Sequence, residues 1–365
     1  MPNLSAMPKA ELHLHLEGAF RWPTLRRALF RHYGLALPVA PYWHAPGYRF
    51  QGFSDFLQLF RDYVDPWLCT PLGYQEIIRD VVEGLRIQNI RYAEIDFSVA
   101  LIERTGHSLE QVLALLEEEA EAAQRRGIEV RFFAGINRHF GLGQALKWVT
   151  RLQRAPIIAG IDLHGDEVGW SAGLFQPAFE LAIAQGKRVK VHAGEMTGPQ
   201  SIRDAVALGI LQIGHGTSSI QDPELMAMLR DRQVLLELCP TSNERLGCVA
   251  SYKAHPLWEL DRAGIVITIN SDDSAFFGLN LTDEMTRLMA ERQVTVDDLK
   301  RWTANAFRQA DLGEQRRSQL LQELQAWTPT AEPNSTADLL KSTVEPGCHP
   351  RAEGHAWGHE WGLPQ

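Results

Sequence analysis

With 365 residues, the chain is long enough for one large core or for two ordinary domains. Its 45% hydrophobic and 22% charged residues are those of a soluble globular protein, and no run approaches the roughly 18 to 20 unbroken apolar residues that a membrane helix needs, so no membrane partner is expected. A formal charge of −9 argues against a nucleic-acid partner and makes a small, weakly charged substrate the easier fit.

The N-terminus, MPNLSAMPKAELHLH, has no apolar stretch of the kind that heads a secretory signal. Cys69, Cys239, Cys248 and Cys348 form no CxxC pair. A disulfide framework and a cysteine-ligated zinc are therefore not expected, and a reducing cytoplasm is.

Short apolar runs recur along the chain, each followed by a polar turn and a helical pattern. Strands are predicted at Glu11–Leu16, Arg91–Phe97, Val130–Ile136, Ile157–Leu163, Arg188–His192, Gln212–His215, Val234–Leu238 and Val266–Asn270. Helices are predicted between them, for example at Ser108–Arg126, Pro199–Ala207, Asp222–Arg232 and His255–Ala263. Alternation of this kind means parallel strands. Eight such units suit a closed (β/α)₈ TIM barrel with a helical insertion after its first strand. An open doubly wound sheet is the runner-up, but HLHLEGAFRWP lacks its glycine-rich phosphate fingerprint.

The insertion between Phe20 and Arg91 carries Phe50, Phe53, Phe56 and Phe60 at near-helical spacing, which suits a buried helix face or a lid over a site. The run EEEAEAAQRR at 117–126 reads as a solvated helix face. Past Trp327 the composition turns to Pro, Gly, His and Trp, so the barrel is expected to fill residues 1–327 and a tail 328–365. His349, His355 and His359 in that tail fit no helix face and are not read as a metal site.

Four motifs fall at strand ends. In His13-Leu14-His15 the two imidazoles share one face of a strand, and Leu12, Leu14 and Leu16 share the other. An HxH pair alone is a weak signal, and two packing histidines would look the same. His192-Ala193-Gly194-Glu195 ends the fifth strand, Gly214-His215-Gly216 the sixth, and Asn270-Ser271-Asp272-Asp273 follows the eighth. The paired acids suit either a helix cap or, since neighbours on a strand point opposite ways, two separate roles. Joint placement is the stronger fact, because barrel enzymes build their sites at this one end. Histidine and carboxylate donors in this number suit zinc.

PKAELHLHLEGA, GIDLHGDE, VHAGE, GHGT, CPTSN and NSDDSAFF together resemble the adenosine/adenine deaminase branch of the amidohydrolase superfamily, from about Pro8 to Leu324. The resemblance implies a (β/α)₈ barrel with one catalytic zinc per chain, held by His13, His15, His192 and Asp272. It implies His215 as general base toward a water, Glu195 as the acid that protonates purine N1, Asp273 as the group that orients the attacking oxygen, and the Gly165 N–H as a contact to purine N3. The reaction implied is hydrolytic loss of the 6-amino group as ammonia, leaving the 6-oxo purine. The HxE and PCxxC signature of cytidine-type deaminases is absent. The fourth-strand segment IIAGIDLHG has no lysine to bridge two metals, which favours one.

Two positions depart from the adenosine deaminase pattern. Glu17 stands where that branch usually has an Asp meeting the ribose 5′-hydroxyl, and adenine deaminases also carry Glu there. His164 fills a slot expected to be small, where it either meets a substrate substituent or fills space. FSDFLQLFRDY resembles the family's apolar gate, which makes Phe56 and Phe60 candidate substrate contacts. The expected substrate is adenosine or a 5′-modified adenosine. Adenine and aminodeoxyfutalosine are the alternatives within the family. A catalytically retired barrel serving as a binding protein, or a metal-dependent amide or ester hydrolase, are alternatives of other kinds.

Overall fold

A computed structural model describes residues 2–329. The expected tail, with Cys348 and its three histidines, lies almost wholly outside the described residues.

Eight parallel strands run in sequence order around one sheet: β1 Lys9–His15, β2 Ile90–Ser98, β3 Glu129–Asn137, β4 Ile158–His164, β5 Arg188–Ala193, β6 Gln212–His215, β7 Leu235–Leu238 and β8 Val266–Ile269. Every predicted strand is present, β6 with the predicted bounds and the others with ends shifted by no more than two residues. Runs such as VITI and LLEL are buried on both faces, as parallel strands covered by helices must be. Helices begin where the sequence supplies caps. Ser108 accepts from the Gln111 N–H and Asp222 from the Leu225 N–H, while Pro199 and Pro223 open their helices at positions that need no N–H donor.

The ring closes between β8 and β1 with little backbone pairing. Leu14 and Asp272 form a single bridge. Side chains complete the seam: Asn270 Oδ1 accepts from the Leu12 N–H at 2.9 Å, and Glu11 Oε1 accepts from the Ser271 N–H at 2.8 Å. This ties the segment around His13-Leu14-His15 directly to the one around Asp272-Asp273.

The barrel floor is polar. Lys190 lies 3.3 Å from both Glu94 and Glu237, and Arg188 binds Glu94 at 2.6 Å. Lys190, Glu94 and Glu237 are buried, so each requires its partner, while Arg188 is half-buried at the rim of the cluster. Hydrophobic packing sits outside the ring instead. There the even-numbered Leu12, Leu14 and Leu16 are buried, as the alternation predicts.

The insertion after β1 folds into helices, among them Phe53–Leu59, a π-helical turn at Phe60–Val64 and a further turn at Asp65–Leu68. Phe56 stacks on Phe277 at 5.4 Å, and Phe60 lies 4.7 Å from Phe276. The phenylalanines thus serve both readings: they pack against the helix after β8, and they roof the barrel mouth. The 117–126 run is less uniformly solvated than expected, because Glu119 is buried and binds Arg79.

Candidate active site

A partly open cleft lies at the carboxyl ends of the strands. His15, Glu17, Phe56, Phe60, His164, Gly165, His192, Glu195, His215, Asp272 and Asp273 all line it. His13 lies just beneath, fully buried. All the site residues expected from the sequence therefore meet at one place.

The nitrogen and oxygen donors converge. His15 Nε2 lies 3.3 Å from Asp272 Oδ1 and 3.3 Å from His192 Nε2, and His13 Nε2 lies 3.5 Å from Asp272 Oδ1. Four ligands around zinc at about 2.0–2.1 Å stand about 3.3–3.4 Å apart, the edge of such a tetrahedron. His13 Nε2 is buried without a hydrogen-bond partner, a costly state that a bound cation relieves. The far ring nitrogens are held by acids: His13 Nδ1 by Glu237 and His192 Nδ1 by Asp162, each at 3.1 Å. Imidazoles oriented this way are typical of metal ligands.

Cys239 and His215 also belong to overlapping triads of donors within 4.8 Å. The Cys239 thiol, however, is kept protonated by burial and donates to the Glu237 carbonyl. His215 is engaged elsewhere, as described below.

Backbone strain marks two of these residues. His215 has φ 62° and Asp272 φ 61°, left-handed conformations that cost non-glycine residues energy and cluster at functional sites. At Asp272 this breaks the strand alternation. Both adjacent acids therefore turn into the cleft, and neither caps the Ser274–Phe277 turn. Burial, then the neighbouring Asp272 charge, push the Asp273 carboxyl well above the usual range. Burial alone would raise Asp272 too, but hydrogen bonds from His13 and His15 hold it well below. Asp273 depends on Gly18: a Cβ there would sit 1.7 Å from its Oδ1. Gly214 is needed for a related reason, since a Cβ would sit 2.7 Å from the His13 ring.

Glu195 is pushed up to about 8 by burial and then by the charges of Asp272 and Glu167, so it carries a proton at neutral pH. Its loop is fixed by Glu167, which accepts from the Glu195 N–H at 3.1 Å and the Met196 N–H at 2.8 Å. Asp166 instead closes its own turn, accepting from Val168 and Gly169.

His215 Nε2 lies 3.6 Å from Glu195 Oε1 and 3.9 Å from Asp272 Oδ2. Its other nitrogen ends a hydrogen-bond chain. The Leu257 N–H donates to His255 Nδ1, which leaves the His255 proton on Nε2, 3.2 Å from Asn243 Oδ1. The Asn243 amide then donates to His215 Nδ1 at 3.0 Å. A backbone N–H can only donate, so this order fixes the tautomer: neutral His215 presents Nε2–H to the site.

A second wall is formed by the ends of β2, β3 and β4. Glu17 is buried, accepts from the Ser98 N–H at 3.0 Å, and is lifted to about 7 by burial. The Ser98 hydroxyl donates to Asn137 Oδ1 at 2.9 Å. His164 stacks on His15 with ring centroids 5.4 Å apart. Its Nε2 is buried without a partner against Gly135, where a Cβ would lie 2.5 Å away. Half of the ring therefore fills space, and Nδ1 alone is left to meet a substrate. Gly165 has φ 91°, a conformation that favours glycine.

Sequence reasoning missed Asp162, Glu237, Asn243, Ser98 and Asn137. A signal existed for Glu237, a lone acid in the apolar strand VLLELC, and for Asp162, which shares strand parity with His164.

A parallel barrel with buried His and Asp donors gathered at its carboxyl end defines a metal-dependent hydrolase of the amidohydrolase type. The chain belongs to the adenosine deaminase family, which it matches over residues 8–327, and it is a hydrolytic deaminase. It is 34% identical over 302 residues to the aminodeoxyfutalosine deaminase of Streptomyces avermitilis, covering 81% of this chain and 83% of that one. Among solved structures it is similar to the adenine deaminase of Arthrobacter aurescens, with TM-score 0.81 and 29% identity over 88% of this chain and 99% of that one. It is also similar to an amidohydrolase from B. ambifaria solved with bound zinc, with TM-score 0.76 and 25% identity over 87% and 89%. No helix among the described residues is long and apolar enough to cross a membrane.

Proposed function

We propose that this chain is a zinc-dependent aminohydrolase that removes the 6-amino group of adenosine or of an adenosine modified at its 5′ position. One observation carries the reading. Three donor pairs among His13, His15, His192 and Asp272 stand 3.3–3.5 Å apart, close to the edge of a tetrahedral zinc site, and these residues sit beside a protonated Glu195 and His215. His13, His15, His192 and Asp272 would hold the ion. When bound, zinc supplies a Lewis acid that makes water a competent nucleophile at neutral pH.

The chain's own groups do the rest. Glu195 gives its proton to purine N1, which draws electrons from C6 and prepares it for attack. The Gly165 N–H meets N3 and holds the ring plane. Asp273 orients the attacking oxygen. The hydrogen-bond chain through Asn243 supports a revised part for His215: it donates Nε2–H to that oxygen, while the Asp272–Asp273 pair takes the water's proton and passes it to the 6-amino nitrogen. C6–N then breaks as C6–O forms, ammonia leaves, and the remaining hydroxyl proton returns to Glu195. Phe56 and Phe60 roof the sugar and exclude water.

Glu17, Ser98 and Asn137 form a polar wall beyond the base, which favours a nucleoside over free adenine. Glu17 would meet the ribose side, with His164 Nδ1 beside it. The three described cysteines are unpaired, which fits the expected cytoplasmic setting.

The test is ammonia release from adenine, adenosine and 5′-modified adenosines by zinc-loaded protein. Turnover of a nucleoside in preference to adenine supports the reading. No deamination of any of them with zinc bound would overturn it, in favour of a retired binding barrel.

A further inference from the structure

One buried cation beneath the donor cluster has no part in the chemistry above. Lys190 lies on β5, two residues before His192, and is fully buried. Its Nζ donates to the carbonyl of Leu12, the residue before His13. It also lies 3.3 Å from Glu237 Oε2 and 3.3 Å from Glu94 Oε2. An ammonium has three donors, so these three acceptors leave none over. The Phe133 ring centroid stands 4.8 Å from the same nitrogen.

A single oxygen joins this lysine to a metal-site histidine. Glu237 Oε2, which faces Lys190, also lies 3.1 Å from His13 Nδ1. The other oxygen of Glu237 accepts from Gln212 Nε2 at 2.6 Å, and the same amide nitrogen donates to Glu94 Oε2 at 2.7 Å. Glu237 is thus held between one ammonium and one amide, and it cannot turn without unpairing a buried charge. His192 is backed differently. Asp162 meets its Nδ1 at 3.1 Å, forms no other ion pair among the described residues, and leaves Oδ2 buried without a partner. Of the two acids behind the histidines, only Glu237 is anchored by a cation.

We propose that Lys190 is a positioning residue for the metal: it fixes Glu237 against His13 Nδ1, which leaves the bare His13 Nε2 turned to the ion, and it sets zinc affinity by that route. This rests on the zinc reading above and goes beyond it, since Lys190 is neither a donor to the ion nor a cleft residue. Charge alone argues for the opposite sign. An ammonium near the site repels a cation, so its loss would tighten zinc binding. Here Glu94, Glu237 and Asp96, the last at 4.0 Å, surround that ammonium and offset its charge. Positioning is therefore the larger effect, and losing it weakens binding.

The experiment measures zinc affinity by competition with a chelator. The proteins are the wild type, Lys190→Met, Glu237→Gln, Asp162→Asn, and the two double variants that join Lys190→Met to each acid change. Lys190→Met is expected to weaken zinc binding by about tenfold, the low end of what a residue behind a metal ligand is worth. Joined to Glu237→Gln it should add nothing, because its route is already cut. Joined to Asp162→Asn the two losses should multiply. A lysine that merely supports the fold would multiply with both. Unchanged or tighter zinc binding by Lys190→Met overturns the proposal, as does multiplication with Glu237→Gln or its absence with Asp162→Asn. Should Lys190→Met fail to fold, judged by circular dichroism and thermal unfolding, the comparison is repeated with Glu94→Gln in every protein, so that a cation and an acid are lost together. Failure to fold there too makes Lys190 a structural support and overturns the proposal. A wild type that takes up no zinc overturns the zinc reading, and the part of Lys190 with it.

Discussion

The two walls of the cleft are built under different constraints. On the side of β1, β5, β6 and β8, the donor residues are buried and fixed from behind: His13 by Glu237, His192 by Asp162, and His215 by Asn243 and His255. On the side of β2, β3, β4 and the helical roof, Ser98 and Asn137 are half-buried, and Arg61 and Arg104 are exposed. Burial without a partner is expensive, so the first wall tolerates few alternatives. On the second wall Glu17 is buried too, but Ser98, Asn137, Arg61 and Arg104 are wetter, and changing those four costs little stability. Under the proposed function, the rigid side would set the chemistry and the permissive side the choice of substrate.

Substitutions at the first wall should therefore be severe and should separate metal from proton chemistry. His13→Ala is expected to abolish both zinc binding and turnover, checked by metal analysis of the purified protein and by ammonia release. Glu195→Gln should retain zinc while kcat falls by about 10²–10⁴-fold, the usual worth of a positioned acid. A variant that loses zinc as well would place Glu195 in the metal site instead. Behind the ligands, Glu237→Gln or Asp162→Asn should weaken zinc affinity by about 10- to 100-fold, measured by competition with a chelator. At the second wall, Glu17→Gln should lower kcat/KM for adenosine by roughly tenfold and leave free adenine little affected. An equal loss on both would remove Glu17 from the ribose side and erase the contrast between the walls.

This contrast also explains what the sequence disclosed. The strands and the donor motifs were legible because both depend on local spacing: VKV and VITI make strands, and HLH puts two imidazoles on one face. What the sequence hid is contact between distant positions. Nothing local pairs Glu237 with His13 across 224 residues, or joins His255 through Asn243 to His215. The turn at Asp272 was hidden for another reason. A left-handed φ at an aspartate goes against local preference and is held by the seam with β1, so strand alternation assigned the two acids to opposite sides. His164 was read as either contact or filler, and the ring is divided between the two: Nε2 is walled in by Gly135 while the ring lines the cleft.

The rigid wall's central role is tested most directly by returning zinc to chelator-stripped protein while following deamination of its best nucleoside. Activity should rise in proportion to added zinc and level off at about one equivalent per chain. Full activity in the stripped protein, or a plateau near two equivalents, would contradict a single ion held by His13, His15, His192 and Asp272.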